Sequence, residues 1–267
     1  MIAALCYEFR MQVRRPVLWV VYGLTLAALI ATFGESYTML DLGRGGGHDP
    51  KAAMVTSATI TMTLLPIVYG CMLADRLVRD RRLGVAAILD ATPSGRTGRL
   101  IGKYLGTCAA TATPFAVAYF GRAVVWVIME GRPAALGWSA LMFLLGIVPG
   151  LLFLGALSVA GPLLMPPLLF RVLFAGYWVW GNLIPATMMP TLSHTVFAAD
   201  SDYVPYGLLR LRMPDGMSTT GPWPGASLNL LRPVATPSVA LLWIGLMVAL
   251  AAAVLSLARL HTALTES

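Results

Sequence analysis

Six apolar segments, each near the length that crosses a bilayer, constrain this 267-residue chain more than any other feature. They run over about residues 17–33, 52–73, 104–129, 138–164, 172–190 and 238–258. A helix needs about 20 apolar residues to cross the hydrocarbon core, and in lipid it satisfies its own backbone hydrogen bonds. The runs are long and uninterrupted, without the alternation of barrel strands. The expectation is an all-α integral membrane protein with six transmembrane helices. Composition agrees, since 58% of residues are hydrophobic and only 12% charged, against about a quarter charged in an average soluble domain.

The first segment follows Arg14, Arg15 and Pro16, the basic-then-apolar order of a signal peptide. Its apolar run exceeds a signal core of about 7–15 residues, and no small-x-small cleavage site follows Phe33. A retained first span is expected.

The placement of charge gives an orientation. One side of the expected membrane receives Arg10, Arg14, Arg15, Arg76, Arg79, Arg81, Arg82, Arg96, Arg99, Lys103, Arg171 and Arg259 against five acidic residues, a net charge of +7. The other receives Arg44, Lys51, Arg122, Arg132, Arg210, Arg212 and Arg232 against seven acidic residues, which cancel. Basic loops are retained in the cytoplasm, so both termini are expected there. The same asymmetry argues against reading the overall charge of +7 as a nucleic-acid surface.

Residues 1–16 form an element of their own, ahead of a six-span domain over 17–267. At 100° per residue Ile2, Leu5, Cys6, Phe9 and Val13 share an arc of about 100°, with Glu8, Arg10, Arg14 and Arg15 off it. This predicts an amphipathic interfacial helix that carries Leu5 and Phe9 toward lipid and Arg14 and Arg15 toward headgroups. Two loops hold most of the remaining polar chain, 74–103 on the cytoplasmic side and 191–237 outside. The outer loop contains the apolar pieces Tyr203 to Leu211 and Trp223 to Leu231. Short interfacial or re-entrant helices are expected in it rather than free coil.

Little in the sequence speaks for catalysis. The nearest approach to a phosphate loop is Gly98-Arg-Leu-Ile-Gly102-Lys103-Tyr104. It has three residues rather than four between the glycines, and Tyr104 stands where a hydroxyl should hold magnesium. Asp75, Asp80 and Asp90 lack the Asp-Gly-x-x-Ala-Arg core of membrane lipid phosphotransferases. Asp75 and Asp80 also have opposite charges four residues away, the spacing of ion pairs on a helix surface. His48, His194 and His261 fall on different loops or sides. Cys6, Cys71 and Cys108 lie far apart with no CxxC pair, and no Gly-x-Ser-x-Gly elbow occurs. Arg122 is the basic residue placed well inside a span, where charge marks a candidate functional site. It is read either as a contact for an anionic substrate or as a side chain snorkelling toward Glu130. Gly102-x-x-x-Gly106 and Gly146-x-x-x-Gly150 are small surfaces on which helices can approach closely.

The stretch from Asp75-Arg-Leu-Val-Arg-Asp-Arg-Arg-Leu-Gly84 through Val85-Ala-Ala-Ile-Leu-Asp-Ala-Thr-Pro93 to Ser94-Gly-Arg-Thr-Gly-Arg-Leu-Ile-Gly102-Lys103-Tyr104-Leu105-Gly106 is the most informative. It resembles the cytoplasmic loop between spans two and three of ABC-2 type transporter permeases. Tyr7-Glu-Phe-Arg10 with Arg14-Arg15-Pro16 is similar to that family's interfacial helix, and six spans with a long outer loop before the last also fit. The chain departs from the family pattern where Arg82 and Leu83, rather than an acidic residue, precede Gly84.

The resemblance implies the permease half of an exporter, working with a second permease half as homodimer or heterodimer. ATP and magnesium would be held by separate ATPase subunits, with no cofactor in this chain. It implies a bacterial plasma membrane and a hydrophobic or amphipathic cargo such as a drug, peptide or lipid. Gly84, Val85, Ile88, Leu89 and Pro93 would then make the coupling helix. The residues read alone agree: Gly84 and Pro93 bracket a short helix with Val85, Ile88 and Leu89 at i, i+3 and i+4, a stripe suited to a groove on a soluble partner. The alternative is a helix lying on lipid headgroups. At the level of the whole chain, the rivals are a membrane enzyme acting on lipid-linked substrates and a non-transporting membrane scaffold.

Overall fold

The computed structural model describes residues 2–38, 49–74, 76, 96–184, 188–200, 202–211 and 231–265. Among these there is no strand. The chain opens with α1 (Ile2–Val13) and α2 (Pro16–Thr38), which meet at 62°. Pro16 suits the first position of α2, where its missing N–H would have no partner anyway. The corner is tied by Trp19 Nε1, which donates to Val13 O at 2.8 Å. The next helix, α3 (Pro50–Leu73), starts from Asp49, whose carboxylate accepts from the Lys51 N–H at 3.1 Å, with Pro50 in the first turn. Then comes α4 (Arg96–Glu130), the longest element.

The following rod is broken by chemistry rather than by a loop. It consists of α5 (Ala134–Met142), a π-helical segment Phe143–Ile147, α6 (Val148–Ala160) and a 3₁₀ turn Gly161–Leu163. Pro149 has no N–H for the carbonyl four residues earlier, and the ladder absorbs that loss in the widened turn just before it, where the Val148 N–H bonds Phe143 O. α7 (Pro167–Trp178) continues as a second π segment, Val179–Leu183. A third π-helical turn, Tyr203–Leu208, lies within the expected outer loop, and α8 (Pro237–Thr265) closes the chain.

Four stretches are long and apolar enough to cross a membrane: Pro50–Leu73, Thr97–Glu130, Ala134–Leu163 and Pro237–Leu264. The bent pair of α1 and α2 adds a fifth if the pair is taken as one span. The segment expected over 172–190 begins earlier, at Pro167, and consists of a 12-residue α-helix and a five-residue π segment. It falls below a full span by length, so the structure carries four or five spans by this measure rather than six.

Buried aromatic side chains tie the helices together through their polar ends. Trp178 Nε1 donates to Thr63 O at 2.9 Å, Tyr104 Oη to Leu152 O at 2.6 Å, and Tyr119 Oη to Met54 O at 3.2 Å. Each links two helices, and each gives a buried donor the partner that burial demands. One turn before the end of α3, Tyr69 gathers with Tyr104 and Cys108 around Gly155. A Cβ there would lie 2.6 Å from Cys108 Sγ and 2.8 Å from Tyr69 Oη. In contrast, Val117, Val124, Ile128, Leu168, Val172, Leu241 and Leu257 are exposed on the outside of the bundle. Large apolar side chains facing outward in such number suit lipid, not water.

Candidate functional site

The connections sort the helix ends into two groups. Arg171 Nε donates to Cys71 O at 3.2 Å, which puts the end of α3 beside the start of α7. Lys103 Nζ lies 4.0 Å from Glu8 Oε1, which puts α1 beside the start of α4. Arg10 of α1, with Arg14 and Arg15 just after it, thus shares its end of the bundle with Lys103 and the start of α4. Tyr119 bonding Met54 O brings the far half of α4 to the start of α3, where Met54, Ala123, Trp126 and Ala135 form a small second core. Lys51 Nζ sits there 5.4 Å from the centre of the Trp138 ring, a cation–π geometry.

At the first end, α1 is fixed along α4 by a side that takes Leu5 from the apolar arc and adds Glu8 and Gln12, which lie off it. Gln12 is fully buried and its Nε2 donates to Thr111 Oγ1 at 2.5 Å. Glu8 faces Lys103, and Gly106 lets the backbone of Leu5 come so close that a Cβ would stand 2.5 Å from its carbonyl oxygen. Leu5, Glu8 and Gln12 thus form the contact side, at i, i+3 and i+7. Of the residues expected toward lipid, Phe9 is half-buried, and Ile2 and Cys6 are exposed. Arg14 is exposed and Arg15 half-buried.

The expected coupling residues Gly84, Val85, Ile88, Leu89 and Pro93 lie outside the described residues, as do Asp75, Asp80 and Asp90. The near-phosphate motif over 98–104 is helical throughout, inside α4. Among the described residues, no group of three or more His, Cys, Asp or Glu side chains is placed to hold a metal. Arg122 stands half-buried one turn past Tyr119, level with the first turns of α3, with its Nε and Nη1 shielded from solvent. It is brought close to an end of the bundle rather than to its middle.

The second end carries a compact cap, in the loop where short interfacial or re-entrant helices are expected. Val196 N donates to Leu231 O at 2.9 Å, and Trp243 Nε1 on α8 donates to Ala198 O at 2.9 Å. Gly150 on α6 leaves room for the carbonyl of Ala199. His194 adopts a left-handed backbone, φ 64°, that few side chains favour. Its carbonyl accepts from Tyr203 Oη at 2.8 Å while its Nδ1 pairs with Asp202. Arg232, buried to 3% exposure, donates from Nη2 to Thr191 O at 3.1 Å, and its Nε and Nη1 have no partner among the described residues. Burial lowers the guanidinium pKa. Burial, with Asp202 and Asp200 adding to it, pushes the Tyr206 phenol up to about 12. Aromatic and prolyl content hinted at order here, but no periodic pattern marks Thr191, Arg232 or His194.

No family model matches the chain, and neither curated proteins nor solved structures give a significant match.

Proposed function

We propose that this chain is the permease half of an ATP-driven exporter of the ABC-2 type, with six membrane crossings and both termini in the cytoplasm. The short α7 with its π extension counts as the fifth crossing in this reading. A second permease half, identical or similar, would complete the translocation path for a drug, peptide or lipid. Separate ATPase subunits would bind ATP and magnesium and drive the cycle. The observation that carries the reading is the resemblance in sequence, with one contact beside it. Residues resembling the family's coupling loop, 75–106, lead directly into the start of α4, and the helix resembling its interfacial element, α1, is held against that start.

The test is co-purification from a bacterial plasma membrane. Ile88→Asp places a carboxylate in the apolar stripe, where loss of solvation costs roughly several kcal/mol if the contact is buried. The ATPase subunit is expected to co-purify with the unaltered chain and with Asp90→Asn, and to be lost with Ile88→Asp. Retention of partner and full transport activity by Ile88→Asp would end this assignment for residues 85–91. The enzyme alternative requires Asp75, Asp80 and Asp90, so asparagine at all three with unchanged function removes it.

A further inference from the structure

We propose that the outward face of α1 is a binding site for an anionic phospholipid headgroup, held by Arg10 and Arg14 beside Tyr7. With the Leu5, Glu8 and Gln12 side of α1 fixed on α4, the other side is a surface of settled shape rather than a free helix. Ala3, Cys6, Tyr7, Arg10, Met11 and Arg14 line an open hollow of about 420 Å3 on that side. They follow one another at helical spacing, so apolar and aromatic groups occupy its start and two guanidinium groups its end. Tyr7 is 68% exposed, and Arg10 and Arg14 are exposed as well. The acid of this helix, Glu8, points instead to α4 and Lys103. The hollow therefore carries positive charge with no carboxylate of α1 on it.

Depth selects the occupant. Pro16 begins α2 only two residues after Arg14, and α2 exposes Val17, Val20 and Leu24 to its surroundings. Trp19, 41% exposed and anchored on Val13 O, ties the end of α1 next to Arg14 to the first turn of α2. Tryptophan at such a junction marks the level of headgroups and glycerol. Guanidinium groups there meet lipid phosphates, which they bind by paired N–H donors. Tyr7 and Met11 then cover the upper part of an acyl chain. The inference needs only a membrane-spanning chain, and holds whether or not the chain transports anything.

The measurement is native mass spectrometry of the full chain released from nanodiscs of mixed phosphatidylglycerol and phosphatidylcholine. The unaltered protein is expected to retain phosphatidylglycerol over phosphatidylcholine about tenfold or more, since each arginine near the surface contributes several-fold. R10Q/R14Q is expected to bring the ratio near one, R10K/R14K to keep part of the preference, and R132Q, at the opposite end, to leave it unchanged. Equal retention of both lipids by the unaltered protein overturns the proposal, as does an undiminished preference in R10Q/R14Q. A loss as large in R132Q would reduce the effect to general surface charge and overturn it too. Displacement of the lipid by millimolar inorganic phosphate would assign the arginines to a soluble anion instead.

Discussion

At the level of single residues, the close approach of α1 to α4 depends on Gly106. Gly106 and Gly121 lie on the same helix, yet a Cβ at Gly106 would meet the Leu5 backbone whereas one at Gly121 meets nothing within 4 Å. Gly106→Val is therefore expected to destabilise by about 1–3 kcal/mol, as overpacking does, and Gly121→Val by no more than about 0.5 kcal/mol. Thermal melts of the two variants in the same detergent check the contrast. Arg232 poses the opposite case, a covered charge with one hydrogen bond among the described residues. An apolar side chain of similar size removes both its desolvation penalty and that bond, so Arg232→Met should hold the melting midpoint within a few degrees. A large loss of stability in Arg232→Met would show that the guanidinium holds the cap in place.

At the level of elements, the interruption at Pro149 has a local cause, whereas the outer cap is tied in part by side chains that reach backbone. The π segment before Pro149 follows from a missing N–H, a feature visible in the sequence as a proline inside an apolar run. The cap is different, because its order depends on ties from distant positions. Trp243→Phe removes the donor to Ala198 O and leaves that carbonyl buried, which costs about 1–3 kcal/mol. The expected outcome is faster amide hydrogen exchange over residues 191–204, with exchange in α3 unchanged. Uniform acceleration across the whole bundle would show that Trp243 supports the core instead of the cap. That the loop would hold short structured pieces was legible from Tyr203 to Leu211, and a π-helical turn occupies Tyr203–Leu208. Its joining to Leu231 and Arg232 was not legible, since those contacts bridge long separations with no periodic signal.

For the whole molecule, the proposed arrangement of six crossings has a direct test. With native cysteines removed, a cysteine at position 218 should react with an impermeant maleimide applied from outside, and one at position 94 should react only after the membrane is opened. Reaction at 94 from outside would invert or break the proposed topology. The helical class and the approximate extent of the helices were determined by the sequence, because a backbone in lipid has almost no choice but to bond within its own helix. Which side of each helix faces protein was decided only in the tertiary structure. Hydrophobicity separates water from lipid, but lipid and a protein interior are equally apolar, so an apolar arc cannot say which of the two it meets. α1 shows this plainly: of its apolar arc Ile2 and Cys6 are exposed, as a lipid-facing side would be, whereas Leu5 of the same arc joins Glu8 and Gln12 in the contact with α4, through a close backbone approach at Gly106 and polar bonds to Lys103 and Thr111. Small residues and paired polar groups choose the partner inside a membrane, and their pairing becomes visible only once the helices are placed side by side.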